Sequence, residues 1–230
     1  MIFKWAIVFL VLNPALIRSQ IAEKPFPHRD TIFLSEVVVS QIKGKNKNRV
    51  AGRVLRGKVD HFLPGFAQPY TLQFARFFPH KDTYATTPFI ASIRFITRTR
   101  QETAYFRVQL YEANRQGKPG KAMLDEELTG IARKGHRWTE VSLGKRHIRF
   151  PEKGFFVGIE WSLSKANETL IFNTFEPEIG FMVLDSANHS WVLKNKAWSQ
   201  INPFQGEIKR FKHRYKHLAA EVVLSNRPAD

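Results

Sequence analysis

Metal chemistry would need clustered ligands. The eight histidines stand at positions 28, 61, 80, 136, 147, 189, 213 and 217, and only His213 and His217 have the spacing that puts two imidazoles on one helical face. Lys212, Arg214 and Lys216 surround that pair and repel a divalent ion, so it reads as part of a solvated basic face. No metal and no cofactor is expected. The chain has no cysteine, hence no thiolate ligand, thiol nucleophile or disulfide framework. It also lacks the Gly-x-Ser-x-Gly elbow of serine hydrolases. Glycoside hydrolysis would need two facing carboxylates. Glu140 and Glu160 are the best pair, each on the polar side of an apolar row. If a sheet aligned them, their like charges would push one pKa upward. Ion pairing with Arg107 or a lysine is the competing reading. The chain is therefore expected not to be an enzyme, with a glycan-active jelly-roll using Glu140 and Glu160 as the alternative.

Recognition chemistry has more to work with. Flat aromatic faces stack on the apolar faces of sugars, and Trp138, Trp191, Trp198 and Tyr111 are the candidates for such a ligand site. Trp161 shares a face with Phe155, Val157 and Ile159 and belongs to the core. Two basic clusters stand out. Gln41–Lys58 carries Lys43, Lys45, Lys47, Arg49, Arg53, Arg56 and Lys58 with no acid. Glu207–His217 carries Lys209, Arg210, Lys212, Arg214 and Lys216 against one glutamate. They account for much of the formal charge of +16, from 36 Lys and Arg against 20 Asp and Glu. Asn167-Glu168-Thr169 and Asn188-His189-Ser190 match the glycosylation acceptor pattern.

The meaning of that charge depends on the first segment. Lys4 precedes the apolar run Trp5–Leu12, Asn13-Pro14 interrupts it, and Ser19 follows a short apolar stretch. This reads as a secretory signal over 1–19, too short to span a bilayer. An exported basic chain meets acidic polysaccharides, anionic lipid or acidic proteins rather than nucleic acid, and no transmembrane span is expected after signal cleavage. Residues 20–64 read as a β-prone lead-in and basic linker, containing the string Thr31–Ser40. From there the pattern is short alternating strands with turn punctuation: Thr71–Phe78, Phe89–Thr97, Ala104–Glu112, Leu128–Ala132, Trp138–Leu143, Phe155–Ser162, Leu170–Thr174, Gly180–Asp185, Trp191–Lys194 and Ala219–Leu224. The 20 phenylalanines suit a pleated, half-buried surface. The fold expected is all-β, an antiparallel two-sheet sandwich, jelly-roll-like, over residues 65–225 with a tail at 226–230.

Four stretches taken in order carry a resemblance. Phe106-Arg107-Val108-Gln109-Leu110-Tyr111-Glu112, Gly117-Lys118-Pro119-Gly120-Lys121, Gly135-His136-Arg137-Trp138-Thr139-Glu140-Val141-Ser142-Leu143 and Gly154-Phe155-Phe156-Val157-Gly158-Ile159-Glu160-Trp161 resemble the β-sandwich module of bacterial envelope proteins described as carboxypeptidase-like regulatory-domain-containing. The match covers roughly residues 65–185. Phe33–Ser40 is similar to the segment leading to the energy-coupling box of TonB-dependent receptors, although no plug or barrel follows it. The resemblance implies a domain relationship, not hydrolysis, and supplies no catalytic residues. Together these readings give an exported, non-catalytic sandwich in the periplasm or at the cell surface, associated with the outer membrane. Its partner would be an envelope protein or a glycan, with attachment to an anionic surface through the basic clusters as an alternative.

Overall fold

Two apolar rows, Ile93 and Phe95 on odd positions and Phe106, Val108 and Leu110 on even ones, are fully buried. In the computed structural model both belong to a single strand, β4 (Phe89–Ala113). Strict alternation cannot bury odd and then even residues on one face unless residues are inserted between them. The insertion lies at residues 100–102, where the pairing register of β4 shifts between Thr99 and Thr103. The strand then continues into the opposite layer, and the rings of Phe95 and Phe106 meet edge to face across the core, centroids 5.3 Å apart. β6 (Leu128–Ser142) runs antiparallel to β4 on both sides of the bulge. Its buried positions likewise change parity, from Leu128 and Ala132 to Thr139 and Val141. Gly135 lies between, at a φ of 99° that favours glycine.

A bulge leaves backbone amides without ladder partners. Here the buried Glu176 takes them over, accepting from the N–H of Arg100 at 3.0 Å, the N–H of Gln101 at 3.1 Å and the Thr99 hydroxyl.

The structure describes residues 45–67, 72–171, 173–185, 190–203 and 214–228. One layer holds β1 (Asn48–Ala51), β12 (Ala220–Ser225), the first half of β4 and the second half of β6. The other runs β10 (Ala197–Gln200), β9 (Ser190–Lys194), β3 (Gln73–Phe78), β7 (Phe155–Trp161) and the second half of β4. The first half of β6 and the short β5 (Pro119–Ala122) flank that half of β4. β8 (Thr174–Leu184) pairs with β2 (Val59–Phe66) and β11 (Tyr215–Leu218) and joins β4 at Thr97 and Arg98. Every pairing is antiparallel, as the sequence predicts. Because β4 and β6 pass through both layers, the hydrogen bonding among the described residues forms one continuous twelve-stranded sheet folded over on itself. Where β11 leaves β8 and β12 joins β4, Arg76 of β3 donates across the core to the carbonyls of Leu218 at 3.3 Å and Ala220 at 2.8 Å. Burial pushes the Arg76 pKa down to about 10, partly offset by Glu221.

The structure corrects several boundaries. Residues 41–58 are not a linker throughout, because Asn48–Ala51 forms β1 and pairs with β12. An edge strand keeps charged side chains in solvent, so basic composition does not argue against it. The expected start of the sandwich at residue 65 falls inside β2, which Pro64 and Gly65 disguised. Asn226 is no free tail: its amide donates to the Lys47 carbonyl at 3.1 Å and its Oδ1 accepts from the Lys47 N–H at 2.9 Å, extending the β1–β12 ladder. Of the strand expected over Leu170–Thr174, Thr174 opens β8, whereas the described residues 170, 171 and 173 are not in a strand and Leu170 and Ile171 are exposed. The signal segment 1–19 and the string Thr31–Ser40 lie outside the described residues.

Candidate functional site

After the bulge, the odd residues of β4 look outward from the second layer. Arg107 stands opposite Glu160 of β7, Gln109 opposite Gly158 and Tyr111 opposite Phe156, while Gln73 of β3 lies on the far side of Glu160. A hydrogen-bonded chain crosses these strands. The Tyr111 hydroxyl donates to Gln73 Oε1 at 2.7 Å, and Gln73 Nε2 donates to Glu160 Oε2 at 2.7 Å. Arg107 donates to Glu160 Oε1 and, at 3.3 Å, to Glu127. The Glu160 side chain is only 14% exposed, so its charge is held by Arg107 and Gln73 rather than by bulk water. Burial, then the Glu160 and Glu127 carboxylates, push the Tyr111 pKa up to about 12. Its hydroxyl therefore stays protonated and donates. Gly158 makes room for that ring, since a Cβ there would sit 2.8 Å from Tyr111 Cε2.

Each end of this polar chain meets a different surface. At one end the Tyr111 and Trp198 rings meet edge to face at 5.4 Å, backed by Phe77, Phe156 and Trp191. At the other, Arg107 and Glu160 rim a cleft of about 280 Å³. Its walls are apolar: Leu63, Pro64 and Phe66 from β2, Leu72 and Phe74 around the start of β3, and Trp161 and Leu163 at the end of β7. Trp161 is fixed by an indole N–H donated to the Pro177 carbonyl at 2.9 Å and an edge contact with Phe74 at 5.9 Å.

Three of the four aromatic candidates thus come together: Tyr111, Trp191 and Trp198. Trp191 is buried, so it supports the cluster from beneath and offers no face to a ligand. Trp138 does not join them. It lies on the outer face of the first layer beside Ile96 and Met182, under the Arg94 guanidinium at 4.8 Å. The bulge is the reason, since Trp138 and Tyr111 lie on opposite sides of it.

The same parity change separates the two carboxylates. Glu140 stands opposite Arg94 and accepts from the Ser92 hydroxyl at 2.5 Å, while Glu160 stands opposite Arg107. They look outward from different layers with the core between them, and the acid–base pair is not assembled. His217 is buried, its Nδ1 2.8 Å from the Ser190 hydroxyl oxygen. His213 lies outside the described residues, among which no group of His, Cys, Asp and Glu could hold a metal. Asn167 is fully buried and its Nδ2 donates to two carbonyls, so the Asn167-Glu168-Thr169 pattern presents no glycosylation acceptor. Of the basic residues, Lys45, Lys47, Arg49 and Arg53 are exposed on and beside β1. Arg214 pairs with Asp185 at 2.7 Å, and burial lowers the pKa of the half-buried Lys216. Lys43, Lys209, Arg210 and Lys212 lie outside the described residues. The sequence reading missed Gln73 and the apolar cleft. Outward polar residues on three adjacent strands around Gly158 were the available signal for the former, whereas the cleft needs β2 to be recognised.

No family model matches the chain, and no curated protein matches it. Among solved structures it is similar to the clostridial cysteine protease Cwp84 after propeptide cleavage, with a TM-score of 0.52 and 13% identity over 77% of this chain and 40% of that one. A second structure, the cysteine protease and lectin-like domains of Cwp84, a surface layer associated protein of Clostridium difficile, gives a TM-score of 0.44 and 12% identity over 67% of this chain and 32% of that one. The chain spans less than half the length of either. The first likeness is one of fold.

Proposed function

We propose that this chain is an exported, non-catalytic β-sandwich of a bacterial envelope that binds a glycan along the outer face of its second layer and the adjoining edge, where β2 meets β3 and β7. The observation that carries the reading is the continuity of apolar cleft, Arg107–Glu160 rim and Tyr111–Trp198 patch through one hydrogen-bonded chain. A sugar ring has an apolar face and a fringe of hydroxyls. The cleft walls suit the former, and a fixed guanidinium–carboxylate pair, donor and acceptor side by side, suits the latter. Cysteine-protease chemistry does not transfer from the structural neighbour, because the chain has no cysteine.

A glycan screen followed by calorimetry on the purified chain tests this. An oligosaccharide should bind, and Arg107→Ala and Trp198→Ala should each weaken it by about 1–2 kcal/mol, the range of a charged hydrogen bond or an aromatic contact. Absence of any glycan ligand, or affinity untouched by both substitutions, overturns the reading. A protein captured in place of a glycan would assign the face to protein recognition.

A further inference from the structure

The segment after β1 crosses the outer face of the first layer and is pinned there. Val54 is buried beside Ile96 and Met182, and its N–H donates to Glu221 Oε1 at 2.7 Å. The chain then turns outward. The Leu55 carbonyl accepts from the Lys58 N–H at 2.8 Å, closing a tight turn, and Leu55 itself is 60% exposed. Arg53, Arg56 and Lys58 are exposed around it, and the stretch from Lys45 to Val59 holds no acid. Nothing lies within 4 Å of where a Gly57 side chain would begin, so the turn projects into open space. Its base is firm. Arg56 donates to the His136 carbonyl, and next to it the Arg98 guanidinium lies 4.6 Å over the Phe62 ring.

What sets Leu55 apart from other exposed apolar side chains is its setting, at the tip of a turn whose flanking charges are all cationic. A soluble acidic polymer would use the cations and leave that leucine idle. A bilayer surface with anionic lipid uses both, because its interface takes an apolar side chain while its head groups attract cations. We propose that the Leu55–Lys58 turn is a membrane-contact point, with Leu55 entering the interface of an anionic bilayer and Arg53, Arg56 and Lys58 engaging head-group phosphates. The contact is peripheral, and it stands or falls independently of the glycan reading, because none of Leu55, Arg53, Arg56 and Lys58 lines the cleft or touches the Tyr111–Trp198 patch.

The purified chain is sedimented with vesicles of phosphatidylcholine alone and of phosphatidylcholine with phosphatidylglycerol. It should bind the anionic vesicles, and less well as salt rises from low to physiological strength. Leu55→Asp should weaken binding about tenfold, by loss of one buried leucine and addition of a like charge to the lipid. Arg53→Glu combined with Lys58→Glu should weaken it more than about twentyfold, at roughly fivefold per cation removed. These side chains are exposed, so each variant should keep the parent's thermal midpoint, which checks folding separately. Equal binding to both vesicle types, binding to neither, or Leu55→Asp binding like the parent overturns the proposal. Capture of a soluble acidic polysaccharide in preference to vesicles, unaffected by Leu55→Asp, also overturns it and assigns the turn to that polymer.

Discussion

The side-chain amide of Asn167 pairs with both backbone polar groups of Tyr105, its Oδ1 accepting from the Tyr105 N–H at 2.9 Å and its Nδ2 donating to the Tyr105 carbonyl at 2.6 Å. Strand β7 ends at Trp161, opposite Phe106, so Tyr105 is the first position on that edge of β4 without a strand beside it. One side chain takes the place of the missing strand. A second bond from Nδ2 to the Ser162 carbonyl at 2.7 Å ties the exit of β7 to the same point.

Asn167→Ala should therefore cost about 2–3 kcal/mol, since it strands buried donors and acceptors rather than removing a surface contact. Urea unfolding measures it. Expression in a glycosylating host should leave Asn167 unmodified, which mass spectrometry of the tryptic peptide reads directly.

Gly130→Ala should destabilise by about 1–3 kcal/mol through overpacking, because its Cβ would fall 2.2 Å from Phe106 Cζ, in the centre of the core. Gly57→Ala is the matched control, with nothing near its Cβ. A scan of thermal midpoints should show a loss for the first and little change for the second.

Glu176→Gln keeps an acceptor but replaces a carboxylate with a weaker, neutral one at the bulge. A loss of about 1–2 kcal/mol is expected, charged hydrogen bonds exceeding neutral ones by that order. Hydrogen exchange at the Arg100 and Gln101 amides should quicken, while exchange in the middle of β7 should change only by the global loss.

Acid should weaken the fold through two histidines. His136 has its pKa lowered by burial and by Arg56 and Arg98, and His61 by burial and by Lys216. The unfolded chain then binds protons that the folded one refuses. Their contribution is fully present above the ordinary value of 6.5 and is lost as pH falls from there toward the lowered folded values. Urea midpoints at pH 7.5 and pH 5.5 should show the drop, and His61→Gln with His136→Gln should reduce it.

Legibility in the sequence followed the range of the signal. Alternation places β3 and β7 to within two residues, and the strands expected over Trp191–Lys194 and Ala219–Leu224 fall within one residue of β9 and β12. The same rule split β4 and β6 in two, because a parity change looks like a strand end when no partner is in view. That error carried into the site. Tyr111, Trp191 and Trp198 were found as aromatics and did meet, whereas Glu140 and Glu160 were paired by likeness of local pattern, which says nothing about which layer each half occupies. β1 and β2 were hidden by their charges and by Pro64-Gly65, and with β2 went the cleft wall.

The passage of β4 and β6 through both layers has a consequence for how the molecule comes apart. Neither layer owns its central strands, so peeling one away unzips the other, and no half of the sandwich can persist as a partly melted species. Calorimetric and van't Hoff enthalpies of melting should coincide. A nick at residues 100–102 would sever one of the two strands that the halves share and do more damage than a cut in a peripheral loop.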